Sequence, residues 1–306
     1  MIQPRVTIGL PTRNGERHIR QAAQSVLEQD YDSLELIISD NASDDGTEQI
    51  CRDLARSDAR VRYHRQTENV GLVPNFNAAL HLARGTYFKW LGDHDWLTPT
   101  YVRRCVEVLD DDPSLILVTT QQGHVGSRDV VETARYDGTS LRSDRPVERF
   151  SELLRLFNES HLLMDPLYGM VRQARVAPVP RPIMVYEDEV FAARLALTGP
   201  FGHIAEVLSY RREGPFTRKA VTARRLGVPA WRAYVATLLQ CRQLLSAIRA
   251  AELDAHDRRQ ARAAVVRLLV RRQTVTLAHR TRKLAGLASR PLTRHPRLAP
   301  ATPEGP

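Results

Sequence analysis

RVTIGLPTRNGERHIRQAAQSVLEQDYDSLELIISDNASDDGT, residues 5–47, sets the pattern from which the fold is read. An apolar run, VTIGL (6–10), precedes a helical pattern near 17–29, and a second run, LELIIS (34–39), precedes another near 47–57. Strands that are apolar almost throughout, separated by helices of about ten residues or more, are buried on both faces, so the spacing predicts a parallel sheet covered by helices. Outward from this stretch the rhythm continues with VRYHR (61–65), a helix near 74–84, TYFKWL (86–91), a helix near 99–110 and LILVTT (115–120). The predicted class is α/β, with a mixed, mainly parallel sheet.

Residues 121–182 lose this period and carry turn-like groups such as DGTS (137–140) and VAPVPRP (176–182). Order returns with YEDEVFAARLALTGPF (186–201), a helix of about ten residues stopped at Gly199-Pro200, and with HIAEVLSYRR (203–212) as a strand. Helical spacing then fills 229–285: Trp231, Tyr234, Leu238, Leu239, Leu245 and Ile248 predict one helix, and Val265, Leu268, Leu269 and Leu277 a second. The expected organisation is an α/β unit over 1–214 with halves 1–120 and 121–214, a basic α-helical region over 215–288, and a Pro-rich disordered tail over 289–306.

The chain has 306 residues, 42% apolar and 26% charged, enough to bury a sizeable core and far from the composition of a disordered or fibrous chain. Its three cysteines, Cys51, Cys105 and Cys241, are too far apart for a CxxC or metal-ligand spacing and are expected as reduced thiols. No apolar run approaches the roughly 20 residues of a membrane span, and MIQPRVTIGLP has neither the apolar stretch nor the cleavage site of a secretory signal, so the cytoplasm is the expected location. The net charge of +9 conceals an asymmetry: residues 1–210 carry 23 basic and 30 acidic side chains, residues 211–306 carry 21 and 5. The two halves are expected to have different partners.

In sheets of this kind ligands gather beyond the carboxyl ends of the strands, which directs attention to PTRNGE (11–16), DNASDDG (40–46), QTENVG (66–71) and GDHDW (92–96). Asp93 and Asp95 follow the apolar run 86–91 at a separation that lets both carboxylates converge on one hard cation, which then completes its shell with substrate phosphates and water. The competing reading makes them caps of a turn and of the next helix. His94, between them, is expected to point away and serve packing or hydrogen bonding. Asp40, ending the second run, stands where a ribose or base is often held, while Asp44 and Asp45 suit capping. The first loop lacks GxGxxG, so a nicotinamide or flavin dinucleotide is not expected.

VTIGLPTRNGE, LELIISDNASDDGT, NVGLVPNFNAALHLARGTYFKWLGDHD and EDEVFAARLALTGPFGHIAEVLSYRR together resemble the family 2 glycosyltransferases with the GT-A fold, over about residues 4–120 and 184–212. The resemblance implies an enzyme that transfers a sugar from a nucleotide diphosphate with inversion, using Mn²⁺ or Mg²⁺. It makes 1–120 the nucleotide-sugar-binding half and 121–214 the acceptor-side half. Carried over by position, Pro11, Thr12, Arg13 and Glu16 lie along the nucleotide, Asp40 holds base or ribose, and Asn77 stands near the diphosphate, with Phe76 where an Arg often precedes it. Asp93 faces sugar or ribose and Asp95 ligates the metal, with Asp93 as its companion. The catalytic base falls among Glu187, Asp188 and Glu189; Asp188 matches best, Glu187 comes next, and an acidic helix start that complements the helix dipole is the alternative. UDP or dTDP is expected ahead of GDP, with a glycan, a lipid-linked or a small-molecule acceptor.

HDRRQARAAVVRLLVRRQTVTLAHRTRK (256–283) sets arginines in nearly every turn around a Val/Leu stripe. It either lies on an anionic membrane surface, placing the protein peripherally at the inner face of the cell membrane, or packs its stripe on the α/β unit. Nucleic acid is not an expected partner, since no helix-turn-helix, zinc-finger or RNP signature is present and aromatic residues are only 6%. Against the transferase stands one other reading, a non-catalytic nucleotide-sugar-binding or membrane-recruiting scaffold with the same fold.

Overall fold

The computed structural model describes residues 3–126, 131–159, 164–212 and 219–288, with the backbone alone beyond Thr274. The expected tail, 289–306, lies outside the described residues. The first half alternates as its apolar runs require: β1 (Val6–Thr12), α1 (Ile19–Leu27), β2 (Leu34–Asp40), α2 (Thr47–Ser57), β3 (Val61–Arg65), α3 (Leu72–Leu82) and β4 (Tyr87–Trp90). There follow β5 (Trp96–Leu97), α4 (Tyr101–Asp111), β6 (Leu117–Val125), β7 (Val131–Glu132), α5 (Pro146–Leu156), β8 (Met170–Arg172), α6 (Gln173–Val176), α7 (Glu187–Thr198) and β9 (Phe201–Arg212). The C-terminal part is helical: α8 (Lys219–Arg225), α9 (Trp231–Tyr234), α10 (Ala236–Ala250) and α11 (Ala255–Ala288).

Among the described residues one nine-stranded sheet runs in the order β3-β2-β1-β4-β8-β6-β9-β5, with β7 paired to β6. β3, β2, β1 and β4 are parallel, and β6 is parallel to β9. The sheet is mixed and mainly parallel, as expected, and a short strand that the sequence did not announce, β8, lies between β4 and β6, antiparallel to both. Three residues are too few to show a hydrophobic period, which hides such a strand in a sequence.

Side chains alternate across the sheet, so each face has its own core. Val6, Ile8, Leu10, Leu36, Ile38, Tyr87 and Leu91 pack under α1, α2 and α4. Phe88, Trp90, Ile116 and Leu117 pack under α5, α7, α10 and α11. Ala261, Ala264, Val265 and Leu268 of α11 enter that second core, so the stripe of the C-terminal helix packs on the α/β unit. The apolar set expected for the preceding helix is corrected in part: the helix breaks at Val235, and Trp231, Tyr234 and Leu238 are exposed, while Ala236, Gln240, Cys241, Leu244 and Ile248 face inward.

Two details place the ends of the strands. Pro11 and Thr12, read as loop, are the last residues of β1. Gly9 O accepts from Leu91 N on the β4 side and Thr12 O from Asn41 N on the β2 side, so the donor that Pro11 lacks would point past the end of β4. β5 pairs with β9 through Trp96↔Tyr210 and Leu97↔Ser209, and the Trp96 and Tyr210 rings stack at 5.3 Å. That pairing brings the turn at 93–95 against the end of β9.

Candidate active site

The loops after β1, β2 and β4 meet at one end of the sheet. Asn14 (φ 58°) and Ala42 (φ 54°) turn the first two loops in the left-handed region, and Tyr186 (φ 69°) does the same just before α7; among the described residues no other non-glycine residue has positive φ. Such conformations cost about 1–3 kcal/mol each and persist where surrounding contacts enforce them. Asn14 is so held: its N–H donates to Ser43 Oγ (2.9 Å) and its Oδ1 accepts from Asp44 N (3.0 Å). Arg13 donates to Asn41 O (3.0 Å), and Glu16 accepts from Gly46 N (3.0 Å), so the first loop is stitched to the second.

Asp40 is fully buried, and its carboxylate accepts from Ser43 N (2.9 Å), Ser43 Oγ (2.5 Å), Tyr63 OH (2.7 Å) and Arg65 Nη1 (3.0 Å). It fixes the DNASDDG loop between β2 and β3. Asn77 lies half-buried on α3, where its side chain forms no hydrogen bond among the described residues. Its neighbour Asn75, which sequence reasoning passed over, is buried and ties Ser39 to Thr12: its amide donates to Ser39 O (2.8 Å) and its Oδ1 accepts from Ser39 Oγ (2.8 Å).

Thr12 Oγ1 donates to Asp93 Oδ2 (2.7 Å), joining β1 to the turn after β4. Gly15 lies against the same pair: a Cβ there would stand 2.9 Å from Asp93 Oδ2 and closer still to Thr12 Oγ1, so a larger residue would displace one of the two side chains. Residues 93–94 form a turn instead of extended chain, and the alternation that was to send His94 away does not apply. His94 Nδ1 is 2.9 Å from Asp93 Oδ1 and Nε2 is 3.8 Å from Asp95 Oδ1, so the ring lies between the two carboxylates. The hydrogen bond to Asp93 raises its pKa above the usual histidine value.

Asp95 is buried at 3% exposure. Its Oδ1 accepts from Arg212 N (3.2 Å), and Arg211 Nε lies 3.7 Å from Oδ2. Burial raises the Asp95 pKa, with the Arg211 charge opposing. The donor set fits a hard divalent ion of the Mg²⁺ type: two carboxylates from one turn, around a position that His94 already holds with a protonatable ring. Among the described residues no group of three or more His, Cys, Asp or Glu side chains could by itself hold a metal ion.

Arg211 continues the network, donating to Asp165 Oδ2 (2.6 Å) over the Tyr168 ring at 4.2 Å. Across from it stands the start of α7, where the three candidate carboxylates part company. Glu187 is buried in a bidentate pair with Arg181, one arm at 2.7 Å, and that guanidinium sits over the Phe76 ring at 4.7 Å. Glu189 accepts from Gln240 Nε2 (2.7 Å) and Arg272 Nη2 (2.6 Å); burial outweighs those partners and pushes it up to about 7. Among the described residues Asp188 accepts only from Glu189 N (2.9 Å), and no cationic side chain comes within ion-pair distance. Burial raises its pKa first, and the like charge of Asp165 adds to the rise.

The structure therefore brings Thr12, Asp93, Asp95 and, through Arg211 and Asp165, Asp188 to one place. Arg13, Glu16 and Asp40 brace the adjoining loop. Sequence reasoning missed Asp165, Arg181 and Arg211. Arg211-Arg212 carried a usable signal, a basic pair ending a strand where ligands collect. Asp165 and Arg181 stand in the segment without periodicity.

The sequence model described as Glycosyl transferase family 2 matches residues 7–170. The putative glycosyltransferase EpsH of Bacillus subtilis is 25% identical over 197 residues, 63% of this chain and 56% of its own; the chain thus spans about half the length of that relative. Among solved structures, TarS 1–349 of S. aureus in complex with UDP superposes with a TM-score of 0.62 at 17% identity, over 86% of this chain and 70% of that one. The mannosyltransferase PcManGT of Pyrobaculum calidifontis, in complex with GDP-Man and Mn²⁺, gives 0.55 at 18% identity over 95% and 82%.

Proposed function

Because the chain belongs to glycosyl transferase family 2 and has the GT-A fold, we propose that it moves a hexosyl group from a nucleotide diphosphate sugar to an acceptor hydroxyl, with inversion, in the making of a cell-surface glycan or glycosylated metabolite. Asp188 carries the reading. Of three adjacent carboxylates it alone has no cation within ion-pair distance among the described residues, and it stands in the first turn of α7 within charge reach of Asp165 and Arg211, the pair that leads on to Asp95. A carboxylate whose pKa burial has raised accepts a proton more readily near neutral pH, which suits it to take the proton of the attacking hydroxyl.

The loops after β1 and β2 bind the nucleotide in this reading: Pro11, Thr12, Arg13 and Glu16 along its length, Asp40 beside base or ribose as the brace of that loop, and Asn77 toward the diphosphate. Asp95 with Asp93 would hold Mn²⁺ or Mg²⁺, whose charge offsets the negative charge growing on the departing diphosphate. Arg211, fixed by Asp165, adds a second positive group on that side and keeps Asp165 from setting its full charge against Asp188. A UDP- or dTDP-sugar is the donor we place first; the UDP bound to TarS and the GDP-Man with Mn²⁺ bound to PcManGT support the ligand class.

The outer face of α11 presents Arg259, Arg262, Val266, Arg267 and Val270 to solvent, a mixture that suits the surface of an anionic leaflet and a peripheral site on the inner face of the cell membrane. Among the described residues no helix is long and apolar enough to cross a membrane.

The test is thermal unfolding against UDP-, dTDP- and GDP-sugars, with Mn²⁺ or Mg²⁺ and again with EDTA, followed by transfer assays with the donor that binds. Donor at a hundredfold excess over its Kd stabilises the native state by about 2.7 kcal/mol, a readily measured rise in midpoint. The expected result is a metal-dependent rise with one donor. Unchanged midpoints with every donor, together with no transfer, overturn the reading.

A further inference from the structure

Beside the start of α7 lies a cleft of about 310 Å³ to which Asn158, Tyr186, Lys219, Thr237, Arg271 and Arg272 contribute. It is built by the end of α5, the residue that opens α7 and the inner flanks of α8, α10 and α11. Tyr186 is two positions from Asp188 and is held in the left-handed region, with the Arg272 guanidinium 4.5 Å and Lys219 Nζ 5.0 Å from its ring.

The charges in this cleft do not balance. Arg272 is committed to Glu189 (2.6 Å) and Gln240 (2.7 Å). Among the described residues neither Lys219 nor Arg271 has a carboxylate within ion-pair distance, and no lining residue is acidic. Two uncompensated cations beside a third, with the neutral donors Asn158 and Thr237 at hand, form a binding place for an anion. A single carboxylate would match one of the free charges; a phosphate or diphosphate matches both. At about 310 Å³ the cleft is at the small end of ligand cavities, room for such a group and not for a whole glycan.

We propose that this cleft binds a phosphate group, and that the group belongs to the acceptor whose hydroxyl meets Asp188. The second half rests on the sugar-transfer reading given above; the anion site does not depend on it. Specificity for a phosphorylated acceptor then resides in Lys219 and Arg271, residues outside the donor loops.

Inorganic pyrophosphate, titrated calorimetrically into the full chain in EDTA, tests the site. Lys219→Gln/Arg271→Gln and Lys219→Glu/Arg271→Glu are expected to weaken binding at least about tenfold, the scale of one lost charge-assisted hydrogen bond, with the Glu pair weaker still. Both side chains are exposed, so folding is retained, and an unchanged unfolding midpoint without ligand checks it. Arg259→Glu/Arg262→Glu, on the outer face of α11, is expected to leave the affinity within about twofold. Equal affinity of wild type and the cleft variants overturns the site, as does an equal loss in the outer-face variant, which would mark a general basic surface. Sedimentation with phosphatidylcholine vesicles containing phosphatidic acid separates the sources: dependence on Lys219 and Arg271 assigns a lipid-borne phosphate, and its absence beside intact pyrophosphate binding assigns a phosphate on a free acceptor. The donor-induced rise in midpoint is read in the same variants. Its absence in wild type while pyrophosphate binding still depends on Lys219 and Arg271 removes the sugar-transfer reading and leaves the anion site.

Discussion

The end of β2 and the start of α7 each bring an aspartate to the same mouth of the sheet, and they are furnished in opposite ways. Asp40 receives four hydrogen bonds from three residues and has no surface left. Among the described residues Asp188 receives one, from the next backbone amide, and faces a like charge in Asp165. A saturated carboxylate holds a loop in shape; a bare one in a desolvated place retains the capacity to accept a proton. Burial alone does not tell these two apart. The inventory of donors does.

The largest effect that would break the contrast is on rate. Asp188→Asn keeps shape and removes the base, so transfer is expected to fall by about 10²–10⁴, while urea unfolding registers no loss of stability, since one of two like charges has gone. A variant that transfers normally ends the distinction drawn here. Asp40→Ala is the reverse case: it strands Ser43, Tyr63 and Arg65, and a loss of about 2–3 kcal/mol in urea unfolding is expected. Donor affinity should fall with it, because the 41–46 loop loses its anchor.

The pH–rate profile sharpens the comparison. The proposed base, Asp188, works only when ionised, and its pKa lies above the ordinary aspartate value, so transfer should rise with pH through that raised value. Below it the rate should drop about tenfold per pH unit, and the limb should vanish from the residual activity of Asp188→Asn. The smallest effect belongs to Tyr63→Phe, which removes one donor from Asp40 and leaves three. About 1 kcal/mol of stability is expected to go, with transfer unaltered at saturating donor, as read from paired unfolding and kinetic measurements.

Much of this was legible before any coordinates, and what was hidden shares a physical cause. β1, β2, β3, α2 and α7 announce themselves because each is a run whose period reports local burial, and Asp93 and Asp95 could be picked out because they follow such a run; Asp188 could be named only through the resemblance to a family. β8 was hidden by its length. Trp231, Tyr234 and Leu238 have helical spacing but lie on the side away from the core, a matter of how α9 and α10 dock and not of their own period. The network through Arg211, Asp165 and Asp188 joins strand, loop and helix across long stretches of chain, and only the fold could bring them together. The sorting of Glu187, Asp188 and Glu189 likewise needed their partners, Arg181 and Arg272, in view.

The bond from Arg272 to Glu189 spans 83 positions of sequence. During synthesis α7 leaves the ribosome long before the residue that completes its flank, and at roughly 5–20 residues per second the wait is about 4–17 s. Once β9 has followed, every described strand of the sheet is available to pair, while the face of β4 that carries Phe88 and Trp90 still lacks α10 and α11. A message cut short after β9 would yield a chain with its described strands complete and the flank of α7 beside Glu189 left open.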